Sequence, residues 1–266
     1  MVGLGASVDV VLFDFSKAFD VVSHGVLIEK LSLLGVSGML LSWISDFLCD
    51  REMRVSVSGV CSSSRRVLSG VPQGSVIGPV LFIIFVNHLP SFLSNKCKLF
   101  ADDLKLYLKV RHSSAQQLAT DLSSCQQDID VLNRAAKSWG LVFNSDKCVT
   151  LRFCRGNPDL SSVGSLSTYN MEGIDLVGVD SCRDLGVIVD SSFKFHAHVR
   201  NIVAKASGLS NNLLRSTLSR SPEFMISVLS CSYYAAVGIC VCGVTGVECW
   251  LCWGQQIVGI GAASLD

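Results

Sequence analysis

The tightest constraint on the fold is the position of acids in two short apolar runs. Val8–Phe15 reads VDVVLFDF, with the carboxylate of Asp14 near its end. The run is short and rich in Val, which favours a buried strand over a helix. Lys98–Tyr107 reads KLFADDLKLY. Leu99 and Phe100 lead in, Asp102 and Asp103 sit in the middle, and Leu104, Leu106 and Leu108 alternate on the way out. That pattern predicts a hairpin with two acids at its tip. A carboxylate among apolar neighbours is costly unless it is paired or bound to a metal. If the two strands are neighbours, three acids converge. Hard oxygen ligands of this kind suit Mg2+. Two such ions roughly 3.5–4 Å apart can clamp the attacking and leaving oxygens of a phosphoryl displacement. Turn and capping roles, common for Asp, are the alternative.

The rest of the chain supplies the elements around these acids. Apolar residues recur at helical spacing in His24–Leu34 and Val36–Cys49, with Gly35 as the break. Met53–Val57 alternates like a half-buried strand, and Arg65–Leu68 is its expected return. Gly70-Val71-Pro72-Gln73-Gly74-Ser75 is a loop by composition, followed by an apolar helix at Val80–Leu89 that Pro90 closes. Ala115–Trp139 is a long amphipathic helix, with Leu118, Leu122, Cys125, Ile129, Leu132 and Ala136 on one stripe. Leu141–Phe153 holds two strand-like pieces around Ser145-Asp146-Lys147. Asp184–Asp190 reads as a strand pair or turn, and Val199–Leu218 as helix. This order predicts an α+β domain, an antiparallel sheet with helices on one face.

Composition narrows the function classes. About half of the 266 residues are apolar and 17% are charged, enough to bury a core. Lys+Arg and Asp+Glu are both 22, which excludes a globally basic coating protein but not a local basic face. Lys194, Arg200, Lys205, Arg215 and Arg220 fall in 191–222 with no acid among them. The twelve cysteines are irregularly spaced, and Met1–Gly5 has no basic leader. Reduced thiols and an intracellular setting are therefore expected.

Three stretches carry a family resemblance. They are Phe13-Asp14-Phe15-Ser16-Lys17-Ala18-Phe19-Asp20, Gly70–Pro79 (GVPQGSVIGP) and Phe100-Ala101-Asp102-Asp103. In order and spacing they resemble the A, B and C motifs of reverse transcriptases, with wording like that of animal non-LTR (LINE-type) retrotransposons. The resemblance covers roughly residues 8–225. It implies a right-hand polymerase palm and an RNA-directed DNA polymerase that uses two Mg2+ ions. Its partners would be an RNA template, a DNA primer and deoxynucleoside triphosphates.

Carried over by residue, Asp14, Asp102 and Asp103 would be catalytic metal ligands, with the backbone carbonyl of Phe15 a further one. Phe19 resembles the steric gate against a ribose 2′-hydroxyl; a plain core Phe is the alternative. Gln73 and Gly74 fall where the family's loop meets nucleotide and template. Lys147 resembles the motif D lysine, a general acid for pyrophosphate, or else is a solvated turn lysine. Leu185 and Gly186 resemble a hairpin that grips the primer by shape. Lys194–Arg220 would begin the thumb and contact phosphates.

The resemblance sets the domain boundaries at 1–190 for the palm with a residual fingers insert, 191–230 for a partial thumb, and 231–266 for an unassigned tail. Motif A begins near residue 8, so almost all of the fingers, with their triphosphate-holding cations, are expected to be missing. Lys17 and Arg51 cannot be assumed to replace them. Little or no activity of this chain alone follows, and a catalytically inactive remnant that at most binds nucleic acid is the rival reading. A group II intron maturase is a weaker one, because SKAFD followed by VSHGVLIEKL is animal-element wording. By family, the setting would be a nuclear or cytoplasmic ribonucleoprotein.

The tail departs from the pattern. Phe224–Val247 is 24 residues without a charge, long enough to span a bilayer. Gly238, Gly243 and Gly246 weaken that reading, and a frame change or mispredicted exon is the other. Cys240, Cys242, Cys249 and Cys252 could form a zinc site or be apolar buried thiols.

Overall fold

The computed structural model describes residues 6–154, 169–216 and 221–227. The tail cysteines, Arg220 and nearly all of the uncharged stretch lie outside them. Strand β1 (Ala6–Phe13) is central in a five-stranded sheet. On one side it pairs antiparallel with β7 (Asp103–Arg111), itself the second arm of a hairpin with β6 (Lys96–Phe100). On the other side it pairs with β8 (Val149–Cys154). The order across the sheet is β11-β8-β1-β7-β6, where β11 is Val177–Val179. The sheet is not wholly antiparallel as expected, because β11 runs parallel to β8.

The register of β1 on β7 puts Val11 opposite Leu106 and Phe13 opposite Leu104. Residues directly opposite share a face. These four and Leu108 belong to the buried core. Four helices bring their apolar residues to that core. Helix α1 (His24–Leu33) contributes Leu27 and Leu31, and α2 (Gly38–Leu48) contributes Ile44 and Leu48. Helix α3 (Gly78–Val86) contributes Leu81, Phe82, Phe85 and Val86, and α4 (Ala115–Ser138) contributes Cys125, Ile129, Leu132 and Ala136. The α4 stripe keeps the three- and four-residue steps of its sequence. Its Ser114 cap accepts a hydrogen bond from the Gln117 N–H. The Lys30 ammonium of α1 donates to the Phe85 carbonyl and lies 2.8 Å from the centre of the Trp139 ring, so one cation links α1, α3 and the end of α4.

The expected strand at Met53–Val57 is two shorter ones. Strand β2 (Glu52–Met53) pairs with β5 (Arg65–Arg66), and β3 (Ser56–Val57) pairs with β4 (Val60–Cys61). All four are exposed, not half-buried. Their alternation of apolar and polar residues has no core to face. Composition also gave no sign of the small ribbon of β9 (Asn170–Met171) and β10 (Ile174–Asp175). Its Met171 is buried in the core, as is the neighbouring Tyr169.

By contacts the chain divides into two compact units, residues 1–182 with 190–193, and 183–189 with 194–266. The division falls inside a ribbon of β12 (Ser181–Asp184) and β13 (Val187–Asp190). In the second unit, helix α5 (His196–Ser216) presents exposed Arg200, Lys205 and Arg215. At 3.6 residues per turn they fall within an arc of about 140°, with Val199, Ile202, Ala206, Leu209 and Leu213 on the opposite side. Lys194 precedes the helix. Among the described residues, no helix is long and apolar enough to cross a membrane.

Candidate active site

Asp14 follows the last residue of β1, and Asp103 opens β7. Phe13 faces Leu104, so continuing that register by one residue puts Asp14 opposite Asp103. The two are then on the outward face, away from the helices. Asp102 lies between them and β6, in the two-residue turn Ala101-Asp102 that joins Phe100 to Asp103. Ala101 has a φ of 52°, and Asp102 is not among the residues of positive φ. A positive φ at the first central position alone is the signature of a type II′ turn, where Gly is the usual choice. An Ala there carries backbone strain on the order of 1–3 kcal/mol. The acids thus meet at one end of two adjacent strands, as the two runs predicted.

Lys147 joins this site. Its Nζ stands 3.4 Å from Oδ2 of Asp14, whose side chain is 35% exposed against 65% for the lysine. The backbone sets the approach. Asn144 N–H donates to the Asp14 carbonyl at 2.8 Å, and Ser16 N–H to the Val142 carbonyl at 2.8 Å, bracketing a bridge between Phe15 and Phe143. The Phe15 and Phe143 rings stack at 4.5 Å. Asp14 and Ser16 direct these backbone groups towards residues 142–144. Since carbonyls alternate along an extended chain, the Phe15 carbonyl points the other way, to the side of the Asp102-Asp103 hairpin. Cys148, beside Asp14, is fully buried, and burial pushes its thiol up to about 11.

The GVPQGS loop docks on the turn after Asp14. Val71 N–H donates to the Phe19 carbonyl at 2.9 Å, and Gly70 N–H to the Val22 carbonyl at 2.8 Å. The Ser69 hydroxyl reaches the Asp20 carbonyl at 2.8 Å. Gln73 donates its amide N–H to Oδ1 of Asp20 at 2.8 Å. Gly70 has a φ of +86°, and a Cβ there would stand 2.7 Å from the Asp20 carbonyl oxygen. Gly74 has a φ of +80° but open space around it. The half-buried Phe19 ring stacks on Phe82 of α3 at 4.4 Å.

Three residues outside the expected site hold this loop or the sheet. Nη2 of Arg51 and a ring nitrogen of His24 both lie within hydrogen-bond distance of the Gly70 carbonyl, at 2.8 and 2.9 Å. The Arg51 Nε donates to the Leu48 carbonyl. Arg51 is therefore occupied with the loop, while Lys17 is exposed. The third is Asp9, fully buried in β1 and opposite Arg152 in register. Arg152 grips it in two places, Nε to Oδ1 at 2.7 Å and Nη2 to Oδ2 at 2.6 Å, and the Tyr169 hydroxyl adds a third bond at 2.8 Å. The signal was one of parity: Asp9 shares the core face with Val11 and Phe13, whereas Asp14 does not.

The β12–β13 turn has φ of 43° at Leu185 and 88° at Gly186, the type I′ pattern, with Leu185 half-exposed at the tip. It is described here apart from the acids, as are Lys194 and the cations of α5.

The acids' donor set was tested for a divalent ion. Among the described residues no group of three His, Cys, Asp or Glu is close enough to hold one. Mg2+ does not require three, since it binds through one or two carboxylates together with water and substrate phosphates. Two carboxylates opposite each other repel unless a cation lies between them. The pair of Asp14 and Asp103 fits such an ion on that ground.

Comparison with known proteins agrees with the motifs. Residues 5–189 match the family described as reverse transcriptase (RNA-dependent DNA polymerase). The chain is 27% identical over 197 residues to the RNA-directed DNA polymerase from mobile element jockey of Drosophila melanogaster, covering 71% of this chain and 20% of that protein. It is 28% identical over 265 residues to the probable RNA-directed DNA polymerase from transposon BS of the same fly, covering 96% of this chain and 27% of that one. The chain therefore spans a fifth to about a quarter of the length of these relatives. Among solved structures, the telomerase of Candida tropicalis in complex with an RNA fragment aligns with a TM-score of 0.47 and 10% identity, over 87% of this chain and 38% of that one. A match through residue 189 takes in every strand and loop that shapes the acid site, and the chain belongs to the reverse transcriptase family.

Proposed function

We propose that this chain is the palm of an RNA-directed DNA polymerase of a non-LTR retrotransposon, which extends a primer 3′-hydroxyl by copying RNA. The observation that carries the reading is the placement of Asp14 and of Asp102-Asp103 at the same end of adjacent strands. Asp14, Asp102 and Asp103, with the Phe15 carbonyl, would hold divalent cations there. Bound Mg2+ would supply charge neutralisation for the attacking hydroxyl and the departing pyrophosphate.

The chain's own groups supply position and proton. The ammonium of Lys147, 3.4 Å from Asp14, puts a proton donor beside the acids, in the place a leaving pyrophosphate would need one. Phe19 stands five residues after Asp14, and its stacking on Phe82 makes the ring a fixed wall. As a gate, that wall would exclude a ribose 2′-hydroxyl. Gln73 and Gly74 border the same turn, where an amide and a bare backbone suit a base pair. Leu185 and Gly186 at their tip would grip the primer. Lys194, Arg200, Lys205, Arg215 and Arg220 would follow the duplex phosphates. RNA template, DNA primer and deoxynucleotides are the implied partners.

The test is primer extension on RNA with Mg2+ and deoxynucleotides, beside calorimetric titration of Mn2+. The reading expects extension that Asp102→Asn abolishes, and Mn2+ binding that Asp14→Asn weakens. Salt-sensitive nucleic-acid binding with neither extension nor Mn2+ uptake would replace it by the inactive remnant.

A further inference from the structure

The outward face of the β6–β7 hairpin carries a run of lysines that the acids do not explain. The strand register fixes which residues share that face. Phe100 faces Asp103, Lys98 faces Lys105, and Lys96 faces Tyr107; Lys109 continues the row on β7. Lys96, Lys98 and Lys109 are exposed, Tyr107 is half-buried, and Lys105 is 8% exposed. Four cations thus lie on one side of two strands, and the acid on that side is at the tip. Like charges placed directly opposite, as Lys98 and Lys105 are, disfavour the pairing of the strands. A fold that keeps them gains from an anion laid across both.

The direction of the row identifies the anion. It starts at the end of the hairpin that holds Asp102 and Asp103, and it lies on the same face as Asp103. The opposite face is filled by the core, where Leu104, Leu106 and Leu108 are fully buried. The outward face is also closed at β8, where Leu151 and Phe153 are buried, and it opens along β6 and β7. Residues two apart on a strand are about 6.6 Å apart, close to the separation of successive phosphates along one nucleic-acid strand. Lys96 and Lys98 on one strand, with Lys105 and Lys109 on the other, therefore match an extended polyanion better than a compact one. The half-buried Tyr107 between them adds an aromatic surface of the kind that lies against sugars and bases.

We propose that Lys96, Lys98, Lys105 and Lys109 form a phosphodiester-binding track for a primer–template duplex, leading the strand whose 3′ end reaches the acids. The inference rests on the polymerase reading for the nature of that strand. It differs from the expected thumb contacts, which lie on other residues.

The test uses the full chain and a fluorescent RNA–DNA duplex with a recessed 3′ end, with no Mg2+ and no nucleotides. The variant replaces the three exposed lysines: Lys96→Gln, Lys98→Gln and Lys109→Gln. Binding should weaken about tenfold or more at low salt, and the slope of log affinity against log salt should become shallower by about 2 to 3. The Lys→Arg triple variant should bind as the parent does. An unchanged slope in the Gln variant would overturn the proposal, as would equal loss in the Arg variant. Binding to polyglutamate that displaces the duplex and spares no preference for nucleic acid would also overturn it, in favour of a docking site for acidic protein. The outcome is separable from the polymerase reading: lysine-dependent duplex binding without extension retains the track and removes the enzyme, while extension that ignores these lysines does the reverse.

Discussion

Gly70→Ala should be the most damaging small substitution in the GVPQGS loop, and Gly74→Ala provides its internal control. Both glycines have φ near +80°, at +86° and +80°. An L-residue in that region costs about 1–2 kcal/mol, and the stiffer unfolded chain of Ala returns about 0.4–1 kcal/mol. That leaves about 1 kcal/mol for each position. Only Gly70 meets a backbone: its Cβ would stand 2.7 Å from the Asp20 carbonyl oxygen and 2.9 Å from the Asp20 Cα. Backbone cannot turn aside as a side chain can, so the loop must move, at an overpacking cost of about 1–3 kcal/mol. Gly70→Ala should therefore destabilise by about 2–4 kcal/mol and Gly74→Ala by about 1. Urea denaturation at fixed pH would read the difference as a shift in midpoint at unchanged slope. The displaced carbonyl of Gly70 also serves His24 and Arg51, so the variant should expose α2 to earlier proteolysis. Equal losses at the two positions would show that Gly70 does not approach Asp20 as described.

Two further outcomes concern titration. The Arg111 guanidinium hydrogen-bonded to Asp121 holds its carboxyl down at about 2, below its usual value of 3.8. A depressed carboxylate stabilises the fold fully above the unfolded value and loses that contribution as pH falls through the folded one. Asp121→Asn should thus be less stable than the parent at neutral pH, with the gap closing between about pH 4 and pH 2; a gap that persists below pH 2 would refute the assignment. Thiol reagents should separate the cysteines: exposed Cys49 and Cys61 should react at once, whereas burial pushes the thiols of Cys97 and Cys125 up to about 12. The buried Cys125 and Cys148 should react only on unfolding, and rapid labelling of either in the native protein would contradict the packing of α4 on the sheet.

Much of the acid site was legible because it is written in strand periodicity. Alternation at Leu104, Leu106 and Leu108 fixes which side of β7 is buried, and parity then puts Asp103 on the other. Helix α4 was equally plain, since its stripe repeats over many turns. What stayed hidden depends on partners far away in sequence. Asp9 read as an interruption in an apolar run, because its Arg152 partner is 143 residues later. Arg51 read as a candidate for the triphosphate, and nothing local showed that the Gly70 carbonyl would claim it. The ribbons at 52–66 misled for the opposite reason: alternation of apolar and polar residues implies a buried face only when something packs against it, and these strands are exposed on both sides.

The position of β1 has a consequence for assembly. It comes before both of its neighbours, yet β7 follows it by about ninety residues and β8 by about one hundred and forty. A ribosome making this chain at roughly 5–20 residues per second would release the middle strand many seconds before either flank exists. Until then the strand bears apolar side chains and two unpaired edges, and the carboxylate of Asp9 must remain hydrated until Arg152 emerges. Early synthesis therefore yields no partial sheet to protect it, and the most aggregation-prone moment of this protein's life falls before its centre can be built.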